Sequence, residues 1–280
     1  MSITDYVVEG LKYPFNDIKK LLSFGVLFAL FNLISLFIST TSLDILRAYS
    51  ALESTGINVV NISQLPASLV NMVIGLIIIG FIVCLLIMGY EWKLLKFSID
   101  KKDELPGIYN VIDLFVNGIR YFIVVVAYNI IPTIIFVVGA MLGNGSFGIH
   151  VILLSGLFYM ISYFVLIMAL NNMVAYDEIK KAFDLREIFA NISNIGWIKY
   201  IGAIVFTFVV YLIICAALSF VLMFVTLIIA GFINNQAIVI SAILAVISGL
   251  FVSSYIGIFY NRVFGSLYNN AIENKVKIWV

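Results

Sequence analysis

The chain has 280 residues, of which 63% are hydrophobic and 11% charged, whereas soluble domains carry roughly 45–50% apolar and about 25% charged residues. A chain this apolar could not cover its own core with polar surface in water. A soluble globular fold is therefore excluded, and a lipid bilayer is the expected solvent. The formal net charge of +1 gives no basis for a nucleic-acid partner.

Runs of about 20 apolar residues can cross the roughly 30 Å of hydrocarbon in a bilayer. Six runs qualify as spans, and they cover residues 21–40, 69–90, 119–142, 149–170, 198–233 and 237–260. The first run lacks an Ala-x-Ala exit and is interpreted as an uncleaved span. The fifth run is long, but Cys215-Ala216-Ala217 offers no turn signal. We therefore expect one helix that tilts, kinks or projects beyond the bilayer.

Basic residues concentrate in the cytoplasmic loops of membrane proteins. Fifteen of the sixteen Lys and Arg residues fall on one predicted side, and Arg47 alone falls on the other. This asymmetry predicts six spans with both termini in the cytoplasm of a multi-pass cell-membrane protein. An outer loop over residues 41–68 is predicted to contain a short helix from Ser42 to Leu52, with Thr41 or Ser42 as its N-cap.

A similar amphipathic stretch precedes each odd-numbered span. The stretches are Phe15–Leu22, Leu114–Phe122 and Ile192–Tyr200, and each carries a basic residue before the span. We predict an all-α bundle of six transmembrane helices in a single domain, arranged as three hairpins with cytoplasmic interfacial helices. The alternative is that the three stretches are not a structural repeat, because any cytoplasmic loop that ends in a basic residue would have a similar sequence.

Charged residues inside a bilayer usually mark transport or proton relay, because they are costly there. The predicted spans place every charged residue in a loop or within about a turn of a span end, Glu91 and Arg120 included. This pattern disfavours a proton- or sodium-coupled transporter. Neutral polar residues within the spans are interpreted as interhelical hydrogen bonds, and the alternative is a polar cavity lining.

No catalytic, metal or nucleotide motif is evident. The single histidine, His150, excludes a histidine-based metal site or triad confined to this chain. Cys84 and Cys215 lie in apolar runs and are interpreted as packing residues, since a disulfide would need their backbones within about 7 Å. We therefore predict no cofactor and no enzymatic activity.

Several residues are candidates for structural roles. Asn129 and Pro132 are predicted to kink the third span. Small residues on one helix face predict close helix packing, and they are Gly139 and Gly143 in the third span and Gly249, Ser253 and Gly257 in the sixth. Asn61 begins a glycosylation sequon on the predicted outer side.

The segment from Asp103 to Tyr121, followed by Tyr128 and Pro132, resembles the domain of unknown function 4013 family. Ala182-Phe183-Asp184 and Trp197–Tyr200 resemble the second cytoplasmic loop of that family, although Gly107-Ile108-Tyr109 departs from its tryptophan and acidic residue. The resemblance implies a six-span membrane protein of archaea or some bacteria. It carries no functional residue over.

These observations predict a non-enzymatic lipid- or partner-binding membrane scaffold. The expected partners are membrane lipids and either a second copy of the chain or another membrane protein. The alternative is a passive or lipid-type membrane transporter that lacks charged intramembrane coupling residues. A wide groove facing the lipid would favour the alternative, and a tightly packed bundle would count against it.

Overall fold

A computed structural model describes residues 2–53, 67–143, 145–232 and 237–278. The secondary-structure elements in these ranges are all helices. They are α1 (Ile3–Lys12), a 3-10 turn (Tyr13–Asn16), α2 (Ile18–Glu53), α3 (Ala67–Ile99), α4 (Val111–Met141), α5 (Ser146–Tyr176), a second 3-10 turn (Ile179–Phe183), α6 (Leu185–Ile195), α7 (Trp197–Phe232), α8 (Ala237–Ile247), a π-helical turn (Ser248–Ser253) and α9 (Ser254–Ile278).

Six of these segments are long and apolar enough to cross a membrane: α2, α3, α4, α5, α7, and α8 continued through the π-turn into α9. The six predicted spans are therefore confirmed as apolar helices. The fifth is one continuous helix over its described residues, Trp197–Phe232. Several helices extend past the apolar runs that predicted them, and α3 runs nine residues beyond Tyr90 to Ile99.

The first span does not stop at Thr40. Helix α2 continues to Glu53, so the predicted break and N-cap at Thr41 or Ser42 are wrong. The helix passes through Thr41 and Ser42 without a break. Just before them, the Ser39 hydroxyl bonds back to its own helix, donating to the Ser35 carbonyl at 2.8 Å. The later part of the predicted outer loop, including Asn61, lies outside the described residues, and its glycosylation stays a prediction.

One of the three predicted interfacial stretches, Ile192–Tyr200, begins in a separate helix, α6. The first, Phe15–Leu22, is not a separate helix, because it covers part of the 3-10 turn and the start of α2, and the helix before it is α1. Helix α1 is amphipathic and begins with a capping box between Ser2 and Asp5, and α6 is capped by Asp184 and ends at Gly196, whose φ is 93°. The second prediction is wrong, because Leu114–Phe122 is part of the span helix α4 itself. Pro106 disfavours helix in the chain before α4, and Asn110 begins that helix as its N-cap.

The predicted hairpins are unequal. Helices α2 and α3 pack along one another, as do α4 and α5, whereas α7 makes few contacts with α8 and α9. Helix α7 buries Tyr200, Ala203, Ile204 and Thr207, but none of its described residues beyond Thr207 is buried within the protein. An arrangement as three equivalent hairpins therefore stays a prediction.

Basic residues meet at one end of the bundle. Lys20 donates to the Leu105 carbonyl at 2.6 Å, Arg120 pairs with Asp177 at 2.9 Å, and Lys199 donates to Asn270 at 3.3 Å. These contacts bring together the start of α2, the ends of α3 and α5, and the starts of α4 and α7. We call this the basic end.

Arg262 on α9 forms ion pairs and hydrogen bonds with several elements of the basic end. Its side chain is 5% exposed and pairs with Glu9 at 2.6 Å and Asp103 at 3.3 Å. It also donates to the Lys102 carbonyl at 2.6 Å and lies 4.3 Å from the ring centroid of Tyr13. Arg262 therefore joins α1, the α3–α4 loop and α9.

Tyr13 strengthens the same junction. Burial raises the pKa of Tyr13 to about 12, so its hydroxyl stays protonated at neutral pH. That hydroxyl donates to the Glu104 carbonyl at 2.9 Å. The loop after α3 is thus held by both Tyr13 and Arg262.

Close backbone approach fixes two helix crossings. A Cβ added to Gly249 would lie 2.3 Å from the Ala29 backbone nitrogen, and one added to Gly89 would lie 1.8 Å from the Leu114 carbonyl oxygen. The first crossing joins the π-turn to α2, and the second joins α3 to α4. Only glycine permits these approaches, because any side chain would meet backbone atoms.

Candidate functional site

A cavity of about 420 Å³ lies between all six apolar spans, in the half of the bundle near the basic end. We call it the inner cavity. Its lining follows helical spacing on each element, since Tyr121 and Val125 come from α4 while Tyr163, Ile167 and Asn171 come from α5. The remaining lining residues are Phe28 of α2, Glu91 and Leu95 of α3, Leu166 and Leu170 of α5, Tyr211 of α7, and Ser253, Ile256, Gly257, Tyr260, Asn261 and Phe264 of the sixth span.

Glu91 is the charged group of the inner cavity. Its neighbour Tyr90 turns the other way, stacks on Phe24 at 4.2 Å between ring centroids and donates to the Pro106 carbonyl at 2.7 Å. Because Tyr90 and Leu94 occupy the core face of α3, Glu91 and Leu95 face the cavity. Within the described part of the chain, Glu91 makes no hydrogen bond or ion pair.

Glu91 lies within the continuous helix α3. The apolar run of the second span ends at Tyr90, directly before Glu91. Helix α3 continues for eight residues beyond Glu91, to Ile99, a length of about 12 Å. The reason is that Lys93 and Lys96 do not end the helix: Lys93 donates to the Tyr109 carbonyl at 3.0 Å and remains within α3.

Two asparagines add hydrogen-bond acceptors to the cavity. The amide nitrogen of Asn171 donates to the Ile167 carbonyl at 2.8 Å, and that of Asn261 donates to the Gly257 carbonyl at 2.7 Å. Since a helix carbonyl can only accept, the amide oxygens must face away from these bonds. The oxygen of Asn171, in a residue 1% exposed, has no donor among the described residues.

A second cavity, which we call the lateral groove, adjoins the first. It has a volume of about 580 Å³ and lies between α5, α7 and α9, where Met160, Val205 and Phe208 line it. It shares four residues with the inner cavity: Tyr163, Tyr211, Ile256 and Tyr260. Exposed apolar side chains such as Val205 and Phe208 indicate that this groove faces lipid.

Tyrosines form the boundary between the two cavities. Tyr211 and Tyr260 lie 5.5 Å apart between ring centroids, and Tyr260 lies 5.4 Å from Phe264. Tyr163, Tyr211 and Tyr260 together are called the tyrosine wall. Tyrosine suits this position because its ring is apolar and its hydroxyl can bond a polar group.

The predicted kink site lies elsewhere, about two turns beyond Val125 along α4. Pro132 lies inside α4, which continues as a helix to Met141. Its missing N–H frees the carbonyl of Tyr128, four residues earlier, and Ser162 Oγ on α5 donates to that carbonyl. Asn129 donates to the Val125 carbonyl at 2.7 Å. These bonds account for a proline within a continuous helix, and neither residue lines the inner cavity.

The predicted packing residues separate into three environments. Gly139 and Gly249 lie at close helix crossings, facing Ile152 of α5 and Ala29 of α2. Gly257 and Ser253 lie on the wall of the inner cavity. Gly143 is beyond the end of α4 with a φ of 74° and no atom near its Cβ position, so it does not share a helix face with Gly139. Glycine is favoured there because the chain leaves the helix through the left-handed region.

Sequence reasoning missed Glu91, Asn171 and Asn261 as a group. All three fall one residue past the ends predicted for their spans, at Tyr90, Leu170 and Tyr260. The available signal was the polar pattern itself, since Glu91, Asn171 and Asn261 each follow directly on an apolar run. Extending each helix by two turns would have placed the three residues at one level of the bundle.

Comparison with known proteins gives one match. A family model described as "protein of unknown function (DUF4013)" matches residues 72–233, which include Glu91, Asn171 and Tyr211. No curated protein and no solved structure matches the chain. The archaeal source implied by the sequence resemblance stays a prediction.

Proposed function

The chain belongs to the DUF4013 family of proteins of unknown function. From its two cavities we propose that it is a non-enzymatic membrane protein whose inner cavity binds the polar end of an amphiphilic molecule taken from the bilayer. One observation carries the proposal: a cavity with polar groups shares the tyrosine wall with a groove that faces lipid. Its volume is within the range of small-molecule sites, roughly 300–1,000 Å³.

The lining accounts for how such a ligand would be held. Apolar residues such as Leu166, Ile167 and Phe264 would contact its hydrocarbon part, and Glu91 with the two asparagines would bind its polar group. The tyrosine wall lies between these regions. A mostly apolar lining with a few polar groups is typical of ligand pockets.

A Ser253→Phe variant tests the proposal, because Ser253 lines the inner cavity and a phenyl ring there would occupy it. We expect the amount of amphiphile that co-purifies, measured by native mass spectrometry after gentle extraction, to fall about tenfold or more, which corresponds to about 1.4 kcal/mol. The matched control is Ser219→Phe on the exposed face of α7, which should retain the wild-type amount. Equal amphiphile in both variants would contradict the proposal.

Passive movement of lipid between leaflets is a second candidate function. It is favoured by the part of α7 beyond Thr207, where none of the described residues is buried within the protein. That part of the helix could move away from α5. The same mass measurement reports whether a second copy or another membrane protein is bound, as the sequence predicts.

We further propose that the basic end and both termini lie in the cytoplasm, as the loop charges indicate. Cysteine labelling checks this orientation in a chain whose Cys84 and Cys215 are replaced by alanine. A membrane-impermeant maleimide is expected to leave Ser2→Cys unlabelled in intact cells and to label Ser63→Cys. Labelling of Ser2→Cys but not of Ser63→Cys would indicate the opposite orientation.

A further inference from the structure

We propose that Glu91 and Asn171 bind the protonated amine of an amphiphilic cation in the inner cavity. This inference rests on the proposed function and specifies its ligand class. The first observation is an excess of acceptors: the Glu91 carboxylate has no partner among the described residues, and neither has the buried oxygen of Asn171. A buried acceptor that lacks a donor is costly, and Glu91 is itself only partly exposed. An ammonium group supplies a charge together with several N–H donors.

The charges of the lining exclude an anionic ligand. Among the described residues that line the inner cavity, Glu91 is charged and none is Lys, Arg or His. The nearby lysines of α3 are engaged elsewhere, Lys93 with the Tyr109 carbonyl at 3.0 Å and Lys96 with the Ala175 carbonyl at 3.4 Å. A phosphate or carboxylate group in this cavity would therefore face a carboxylate without a compensating cation.

Aromatic rings around the cavity favour the same ligand. Tyr121 and the three residues of the tyrosine wall all line it, and the faces of aromatic rings attract cations, most strongly where water is excluded. The alkyl part of the ligand would extend past the tyrosine wall into the lateral groove, which is lined by Met160, Phe164 and Phe208. A single positive charge on an apolar chain fits both cavities.

Two probes of the same chain length test the charge directly. The purified protein in a neutral maltoside detergent is mixed at pH 7 with equal concentrations of dodecylamine, which is protonated, and 1-dodecanol, which is neutral. Native mass spectrometry then gives the ratio of the two adducts within one sample. We expect the amine to dominate in the wild-type protein, and Glu91→Gln to weaken amine binding at least about 30-fold while dodecanol binding is retained.

Retained dodecanol binding shows that the Glu91→Gln variant is folded, and Glu91→Asp, which keeps the charge, should recover part of the preference for the amine. The wild-type protein could instead bind the amine and dodecanol equally, with both adducts lost in Ser253→Phe and kept in Ser219→Phe. That result would overturn the cation site but would still support an amphiphile-binding cavity. A preference for the amine that survives in Glu91→Gln would also overturn it. Absence of both probes and of any co-purified amphiphile would overturn the proposed function as well.

Discussion

Replacing Arg262 with alanine is expected to lower the free energy of unfolding by about 2 kcal/mol, because it removes a buried side chain and its hydrogen bonds to the partly buried Glu9 carboxylate and to the Lys102 carbonyl. The Arg262 side chain is 5% exposed and contacts Glu9, Asp103, the Lys102 carbonyl and the ring of Tyr13. Thermal unfolding in detergent, followed by circular dichroism, measures the change. Limited proteolysis should show that α1 becomes accessible at the same time.

The control for Arg262 is Arg47→Ala. Arg47 pairs with Asp44 at 3.2 Å, but its side chain is 78% exposed, and exposed pairs of this kind contribute about 0–1 kcal/mol. Its loss should leave the midpoint of unfolding close to that of the wild-type protein. Equal effects of the two substitutions would show that the Arg262 contacts do not hold the basic end together.

Replacing Gly249 with alanine is expected to destabilise the protein by about 1–3 kcal/mol, since overpacking of a close contact forces backbone shifts. The added methyl group would lie 2.3 Å from the backbone nitrogen of Ala29 and 2.4 Å from its Cα. No side-chain rotation can relieve that overlap, so α2 and the sixth span must separate. Thermal unfolding of the purified protein gives the size of the effect.

Gly156→Ala is the matched control, because nothing lies within 4 Å of the Cβ position of Gly156 in α5. Alanine is favoured over glycine within a helix by about 1 kcal/mol, so this variant should be neutral or more stable. The two Gly→Ala substitutions are thus expected to differ in sign. A neutral Gly249→Ala variant would place the crossing of α2 and the sixth span in doubt.

The number of spans could be read from the sequence because apolar length is a strong signal in a membrane protein. The ends of the spans could not, and the functional interpretation depended on those ends. The apolar runs stop at Tyr90 and Leu170, but α3 and α5 continue to Ile99 and Tyr176. Polar residues in the extra turns bond to neighbouring carbonyls and so remain helical, as Lys93 and Asn171 do.

The inner cavity could not be predicted because it depends on which helices meet. Its polar groups come from α3, α5 and α9, and no spacing along the chain indicates that Glu91, Asn171 and Asn261 share one cavity. The Arg262 contacts are equally non-local, since Glu9 and Arg262 lie at opposite ends of the chain. Orientation, by contrast, is an expectation from loop charge alone and needs its own measurement.

The most direct test of the central claim is an experimental structure of the wild-type protein in a lipid nanodisc, determined without added ligand. We expect elongated density that begins beside Glu91, passes the tyrosine wall and continues into the lateral groove. Such density would show an amphiphile taken from the bilayer. A closed contact between α5 and α7 with no density in the inner cavity would contradict the claim.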